Sequence, residues 1–250
     1  MAQLSEMLFY YKASLGGGVF GTVDEDNNLA DFKKISRGSL AVDWTQITPV
    51  GFDNYLFYSA SSGRGCICKI QGDDDSLAMG DRKVFPPGTF SRDWNVIVRL
   101  SGGRNLYYRR ATGEGLVGTA NSDGMFGNFT FIPPGSFAND WTEIISLDSD
   151  RILFYSGSDG RVAIGAIDDN NFISEIYVPP PGTFGNDWTQ ITRLKFGRWF
   201  FYSAPTGRAC IGTIDDDFNF GEDKVFPPGI LSPNWTQITR VRAAITGDGL

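Results

Sequence analysis

Aspartate or asparagine followed by tryptophan occurs five times in this chain, and at three of these repeats a glycine turn contributes an arginine. Asp, Asn and backbone N–H groups can exchange hydrogen bonds with sugar hydroxyls, and the C–H face of a pyranose packs on an aromatic ring. We therefore interpret these residues as candidate sugar-binding positions. They are Asp43, Trp44, Arg64, Asp93, Trp94, Asn139, Asp140, Trp141, Arg161, Asn186, Asp187, Trp188, Arg208, Asn234 and Trp235.

The same residues fit a purely structural role. A tryptophan that recurs once per unit more often packs between units than against a ligand. An aspartate before it can cap a turn or join neighbouring units, and a Gly-Arg turn can be a solvated hairpin. Repetition does not separate these readings, because core positions and site positions repeat together.

Composition excludes several kinds of chemistry. The 250 residues include no histidine, which excludes Ser-His-Asp and Cys-His catalysis and histidine-metal sites. The net charge of −7 argues against a nucleic-acid surface. No apolar run approaches the roughly 20 residues of a membrane helix, and residues 1–11 do not resemble a signal peptide. We expect neither nucleic acid nor membrane insertion, and favour a cytoplasmic or non-classically released protein. The sequence does not indicate the oligomeric state.

The cysteines and the acidic turns carry weak signals. Cys66, Cys68 and Cys210 lack the spacing of a disulfide framework, and Cys66 and Cys210 alternate with apolar residues as core residues would. Acidic turns suggest calcium, but ordinary Asx turns are favoured. They are Asp24–Asp26, Asp73–Asp75, Asp168–Asn170 and Asp215–Asp217. Glycoside hydrolysis needs a unique cleft with a raised-pKa acid, which five near-equivalent units argue against. We expect a non-enzymatic protein without cofactor or metal.

Repetition also predicts the elements that hold these residues. The tryptophans at 44, 94, 141, 188 and 235 are 50, 47, 47 and 47 residues apart. A Leu-Phe-Tyr-like run, a glycine turn, a short alternating run and a last strand follow in each unit. The aromatic runs are Leu8–Tyr11, Tyr55–Tyr58, Leu106–Tyr108, Leu153–Tyr155 and Phe200–Tyr202. Four short strands per unit of this length are typical of a propeller blade.

The chain ends predict how the ring closes. The first unit starts at its aromatic run without a tryptophan strand, and the last tryptophan strand has no aromatic run after it. These orphan strands can complete one blade, with residues 239–250 bridging back toward Leu8. We predict an all-β, five-bladed β-propeller, with four antiparallel strands per blade and the N- and C-terminal segments paired in one blade. Residues 1–250 form a single domain in this interpretation.

Strands that alternate in direction divide the connections between two faces of each blade. The loop between blades, as in residues 86–93, shares one face with the glycine turn between the second and third strands. The turn after the tryptophan strand shares the other face with the acidic turn. The candidate sugar-binding residues therefore lie on the first of these faces.

The stretch Trp188–Gly207 (WTQITRLKFGRWFFYSAPTG) and its counterparts resemble the tachylectin-2 family of lectins. That resemblance implies a five-bladed propeller that binds N-acetylated hexosamines, GlcNAc or GalNAc, between blades. The Pro-Pro-Gly-Thr-Phe loops depart from the family pattern and do not align with its sugar-contacting loops. The same kind of repeat also resembles uncharacterised bacterial propeller modules.

Together these observations predict a multivalent lectin that binds glycans or glycoconjugates. The sites around Asn139–Trp141 and Asn186–Trp188 should bind best, since the first unit has Ser36–Val42 in place of the common loop. The alternative is a protein-binding propeller scaffold without sugar specificity. A ring without any ligand also stays open.

Overall fold

A computed structural model describes residues 6–51, 53–71, 78–121, 123–180, 182–215 and 217–241. The described residues form twenty strands in five four-stranded antiparallel sheets, so the protein is an all-β, five-bladed β-propeller. Their other regular elements are short 3-10 turns at Ala13–Leu15 and Ser101–Gly103. The predicted fold class is confirmed.

Each blade follows the strand order expected from the repeat. Blade 1 contains β1 (Glu6–Lys12), β2 (Gly17–Val23), β3 (Leu29–Ile35) and β20 (Gln237–Val241). Blade 2 contains β4 (Gln46–Pro49), β5 (Asn54–Ser59), β6 (Arg64–Gln71) and β7 (Ala78–Phe85). Blade 3 contains β8 (Val96–Arg99), β9 (Arg104–Arg109), β10 (Glu114–Ala120) and β11 (Phe126–Ile132).

The last two blades repeat this order without a break. Blade 4 contains β12 (Glu143–Ser146), β13 (Arg151–Ser156), β14 (Arg161–Ile167) and β15 (Ile173–Tyr177). Blade 5 contains β16 (Gln190–Arg193), β17 (Arg198–Ser203), β18 (Arg208–Ile214) and β19 (Phe220–Phe226).

Blade 1 is completed by both ends of the chain, as predicted. Strand β20 pairs antiparallel with β1, with Tyr10 opposite Ile238 and Met7 opposite Val241. This pairing gives the orphan strand β1 its first-strand neighbour and satisfies its backbone hydrogen bonds. The part of the expected bridge beyond Val241 lies outside the described residues, as does the acidic turn at 73–75.

The described chain divides into two compact units. The first holds blades 1 and 2, from residues up to Arg92 and from Trp235 onward, and the second holds blades 3 to 5, from Asp93 to Asn234. The prediction that residues 1–250 form one domain stays a prediction.

Aromatic strands supply the core of each unit. In blade 2, Tyr55–Tyr58 are at most 1% exposed, and in blade 5 Phe200–Tyr202 are fully buried. Blades 1 and 2 share a core around Phe9, Phe57 and Cys66, while blades 4 and 5 pack through a core that includes Cys210. The aromatic runs and the cysteines are core residues, as the sequence indicates, and none of the three cysteines forms a disulfide.

Glycine turns hold each loop between blades against the preceding blade. The amide of Phe137 donates to the Gly113 carbonyl at 2.9 Å, and the amide of Gly135 donates to Thr112 at 2.8 Å. Gly113 has a φ of +63°, which glycine adopts at little cost. The loop between blades and this turn therefore share one face, as predicted.

Candidate functional site

The tryptophan of blade 2 is covered by an arginine on that shared face. The Arg64 guanidinium carbon lies 4.4 Å from the centre of the Trp44 ring. Its Nε donates to Asp43 at 3.0 Å, and its terminal nitrogen forms a second bond to the same carboxylate. This hydrogen bond keeps the pKa of Asp43 below its usual value. The predicted trio comes together, but as an internal stack.

Blades 4 and 5 repeat this arrangement. Arg208 lies 4.1 Å from the Trp188 ring centre and donates to Asp187 at 2.6 Å. Blade 4 has the same stack, in which Arg161 lies 4.5 Å from the Trp141 ring and pairs with Asp140. The tryptophans are 2% and 6% exposed, so protein atoms already cover the surface on which a pyranose would pack.

Blade 3 forms the stack from different residues. Arg109, at the end of β9, lies 4.7 Å from the Trp94 ring and pairs with Glu114, the first residue of β10. The acid thus occupies the position at which blades 2, 4 and 5 have arginine. Asp93 is exposed, with a φ of +68°.

The remaining predicted residues lie at the edge of this arrangement. Asn139, Asn186 and Asn234 are exposed. The Lys12 ammonium lies 5.7 Å from the ring of Trp235, which is partly buried. The assignment of all these positions to a ligand stays a prediction.

A tyrosine hydroxyl fixes each tryptophan-bearing loop to the preceding blade. Tyr155 donates to the carbonyl of Gly185 at 2.7 Å and accepts from the Trp188 amide at 3.2 Å. The corresponding bond joins Tyr11 to Ala41 at 2.6 Å, Tyr108 to Ala138 at 2.7 Å, and Tyr202 to Ser232 at 2.8 Å. Tyr58 donates to Ser91 at 2.8 Å across 33 residues, and the other four bonds span 30 residues, so these bonds belong to the repeat framework.

Two charged residues of the second unit replace uncharged residues of the repeat. At the position after each second strand, the backbone amide donates to the residue that follows a tryptophan. Ala13, Ala60, Gly157 and Ala204 donate to a threonine hydroxyl, whereas Arg110 donates to Asn95 Oδ1 at 2.7 Å. The backbone is conserved across the blades, but only blade 3 has a long cationic side chain there.

The second break is Glu143, the first residue of β12. Equivalent positions carry Gln46, Val96, Gln190 and Gln237. Gln190 Nε2 lies 3.4 Å from Glu143 Oε1. Burial of the carboxyl raises its pKa to about 8, against the opposing effect of the Arg110 charge. Glu143 is therefore poised to exchange a proton near neutral pH.

Arg110 reaches the loop that leads into the strand of Glu143. Its Nε donates to the carbonyl of Trp141 at 3.0 Å, two residues before Glu143. Among the described ion pairs within 4.0 Å there is none between these two side chains. The two charged groups thus influence each other and leave their remaining polar atoms for other partners. We call Arg110 and Glu143 the blade 3–4 pair.

Sequence reasoning missed this pair because it concentrated on what the units share. The signal was the departure from the repeat, with arginine in place of a small residue and glutamate in place of glutamine. The predicted residues Asp140 and Trp141 do lie on the loop to which Arg110 bonds and which leads into β12. Tyr108 is influenced by both Arg110 and Asp140, although burial is the main cause that raises its pKa to about 12.

The acidic turns are Asx turns wherever the structure describes them. Asp168 Oδ1 accepts from the amides of Asn170 and Phe172 at 2.8 Å each, and Asp215 holds Asp217 and Asn219 in the same way. Within the described ranges, no group of three or more acidic or cysteine side chains is placed to hold a metal ion. None of the helices described there is long and apolar enough to cross a membrane.

No protein-family model matches the chain, and no curated protein matches it. Solved structures similar to it include a functionally unknown protein from Desulfotomaculum acetoxidans, 11% identical with a TM-score of 0.49, covering 92% of this chain and 83% of that one. Another is a candidate 6-phosphogluconolactonase from Bacteroides fragilis, 14% identical with a TM-score of 0.45, covering 91% and 68%. A third is the periplasmic gluconolactonase of Pseudomonas aeruginosa, 11% identical with a TM-score of 0.40, covering 95% and 70%.

These findings correct two expectations. The prediction of a lectin for N-acetylated hexosamines is wrong, because the neighbours include gluconolactonase-like proteins rather than tachylectin-2 lectins. The expectation of a non-enzymatic protein is also wrong as stated, since several neighbours carry enzyme names. At such low identity the likeness itself shows the fold alone, and the resemblance to tachylectin-2 holds only as far as the five-bladed propeller.

Proposed function

We propose that the second unit carries a hydrolytic site, in which Glu143 transfers protons while water adds to the carbonyl of an ester or lactone. The observation that carries the proposal is the blade 3–4 pair itself. Arg110, which follows β9, bonds at 3.0 Å to the carbonyl of Trp141, two residues before Glu143, and both residues depart from the repeat. The other blades fold with different residues at these two positions, so the repeat fold requires neither Arg110 nor Glu143 there.

Glu143 has the proton affinity that such a reaction uses. Its pKa is raised to about 8 by burial, so the acid and its carboxylate are both populated near neutral pH, which suits general acid–base catalysis. Glu143 as a whole residue is half-buried, and Gln190 contacts one of its carboxylate oxygens, at 3.4 Å. A water molecule can therefore meet the second oxygen.

The proposed step balances with water as the only co-reactant. The Glu143 carboxylate accepts a proton from water as the water oxygen bonds to the carbonyl carbon. Cleavage of the ester C–O bond follows, and Glu143 returns the proton to the leaving alkoxide oxygen. A lactone then yields its hydroxy acid. The positive charge of Arg110 favours the negative charge that develops on the substrate.

The test is hydrolysis by wild type and Glu143→Gln, measured with 4-nitrophenyl butyrate, mono-4-nitrophenyl succinate and simple lactones in a pH-stat. Glutamine occupies this strand position in three other blades, so the variant should fold. We expect E143Q to lose activity by about 100-fold or more, the usual contribution of a positioned acid–base group. Glu175→Gln, at an exposed position of β15, is the matched control. Equal rates for wild type and E143Q, or no wild-type rate above buffer, would overturn the proposal.

A further inference from the structure

We infer that the molecule bound at the blade 3–4 pair carries an anionic oxygen group, a carboxylate or a phosphate, and that the two terminal nitrogens of Arg110 bind it. This deepens the proposed function by naming the substrate class of the same site. It rests on that function only for what happens to the molecule after binding, because anion recognition by Arg110 can be measured without any reaction.

The guanidinium of Arg110 is anchored to the protein through its Nε. Its backbone amide donates to Asn95 Oδ1 at 2.7 Å, and its Nε donates to the Trp141 carbonyl at 3.0 Å. Nε is therefore used by the protein, while the edge formed by the two terminal nitrogens is left for another partner. An arginine presented in this way suits two parallel hydrogen bonds to a carboxylate or phosphate.

Arg110 differs from the other arginines on this side of the second unit. Arg109 pairs with Glu114, Arg161 with Asp140, and Arg208 with Asp187. Within the described part of the chain, Arg110 has no ion pair within 4.0 Å. Asp140, whose charge also acts on Tyr108, is paired with Arg161. The Arg110 charge is thus left without an ion pair in a chain of net charge −7, although it acts at longer range on Glu143.

The fold does not require this side chain. Ala13, Ala60 and Ala204 occupy the equivalent position, and their amides make the bond that Arg110 makes, to a threonine. An arginine there orders a long side chain without the stack on tryptophan that Arg109 supplies in the same blade. A ligand with negative oxygens accounts for a residue that repeat packing leaves unexplained.

Calorimetric titration of the full chain tests the inference with sodium succinate, sodium phosphate and neutral succinamide as probes. We expect wild type to bind an anion and not succinamide, and the succinate and phosphate arms tell which oxygen group fits. Arg110→Ala should weaken this binding by at least about tenfold, as expected for loss of a charge-assisted bidentate contact. Arg110→Lys keeps the positive charge but lacks the paired terminal nitrogens of the guanidinium, so it should retain only part of the anion affinity.

The outcomes separate this inference from the hydrolytic proposal. Arg37→Ala, which removes an exposed arginine, should bind like wild type. Unchanged affinity in R110A, or no anion bound by wild type, overturns the inference. If E143Q binds succinate but hydrolyses esters as fast as wild type, the anion site stands and the hydrolytic function fails. If E143Q is inactive while R110A hydrolyses mono-4-nitrophenyl succinate and 4-nitrophenyl butyrate in the wild-type ratio, the hydrolytic function stands and the anion site fails.

Discussion

The guanidinium carbon of Arg208 lies 4.1 Å from the centre of the Trp188 ring, and a terminal nitrogen of the same guanidinium donates to Asp187 at 2.6 Å. Arg208 thus covers the indole, while its charge is partly neutralised by Asp187, the residue before the tryptophan. Because Trp188 is only 2% exposed, this stack belongs to the packing of blade 5. It explains why an aspartate stands before the tryptophan wherever an arginine opens the third strand.

Arg208→Ala should therefore lower the free energy of unfolding by about 1–2 kcal/mol, from the lost cation–π contact and the lost cover over the ring. Urea unfolding followed by circular dichroism measures the change. Arg37→Ala, at an exposed position, is the matched control and should change stability by less than about 0.5 kcal/mol. Equal unfolding midpoints for R208A and R37A would show that the stack does not stabilise the blade.

The glycine turn beside this arginine allows a close approach of two backbones. Gly207 has a φ of +69°, and a Cβ built on it would lie 2.2 Å from the Leu231 carbonyl oxygen. Gly63 and Gly113 meet Phe90 and Phe137 in the same way, at 2.2 Å and 2.1 Å. A side chain at any of these positions displaces the loop that carries the next tryptophan.

Gly207→Ala should destabilise the protein by about 3 kcal/mol or more, because strain at positive φ adds to the clash with Leu231. Gly229→Ala is the matched control. Its φ is +89°, but no atom lies within 4 Å of its added Cβ, so only the cost of the conformation, about 1–2 kcal/mol, applies. Urea unfolding of both variants isolates the clash, and equal losses would argue against the close approach.

Much of the fold could be predicted because the repeat encodes it locally. The five tryptophans and five aromatic runs give the order of strands, and the mismatch at the ends gives the pairing of β1 with β20. Alternation of strand direction then assigns each turn to a face. These inferences need only the period of 47 residues and the preference of β-branched and aromatic residues for strands.

Whether each tryptophan ring is open or covered by a cation could not be predicted in this way. Sequence shows that Trp44 and Trp94 recur, but the cation that covers each ring comes from a different strand of the blade. Arg64 begins β6, whereas Arg109 ends β9. Whether an aromatic face is open or covered depends on such tertiary contacts, and a repeated aromatic therefore suggested a sugar platform where the structure has an internal stack.

The blade 3–4 pair was missed for a related reason. Arg110 and Glu143 lie 33 positions apart and have no local motif in common. Their relationship appears only once blade 4 is packed on blade 3, where Arg110 bonds to Trp141. In a repeat protein, residues that depart from the consensus without a packing reason point to function more directly than the residues that follow it.

The raised pKa of Glu143 also predicts how the stability of the fold depends on pH, independent of any substrate. Its pKa in the folded chain is raised to about 8 by burial, whereas a glutamate in an unfolded chain has a pKa of about 4.3. The folded state therefore holds a proton that the unfolded state releases across this range. Unfolding is progressively favoured as pH rises from about 4 to about 8. The positive charge of Arg110 reduces the effect without abolishing it.

Glu143→Gln removes this titration and should be more stable than wild type in alkaline solution. The difference should be small near pH 4.5, grow as pH rises, and level off above about pH 8, at about 2 kcal/mol. This is less than the full pKa shift would give at about 1.4 kcal/mol per pKa unit, because Glu143 as a residue is only half-buried. Urea unfolding of both proteins at about pH 4.5, 6.5 and 9 measures it, with Glu175→Gln as the control for loss of an exposed carboxyl. A constant difference between wild type and E143Q across these pH values would mean that the carboxyl is solvated like an ordinary surface glutamate. The acid–base role of Glu143 near neutral pH would then lose its physical basis.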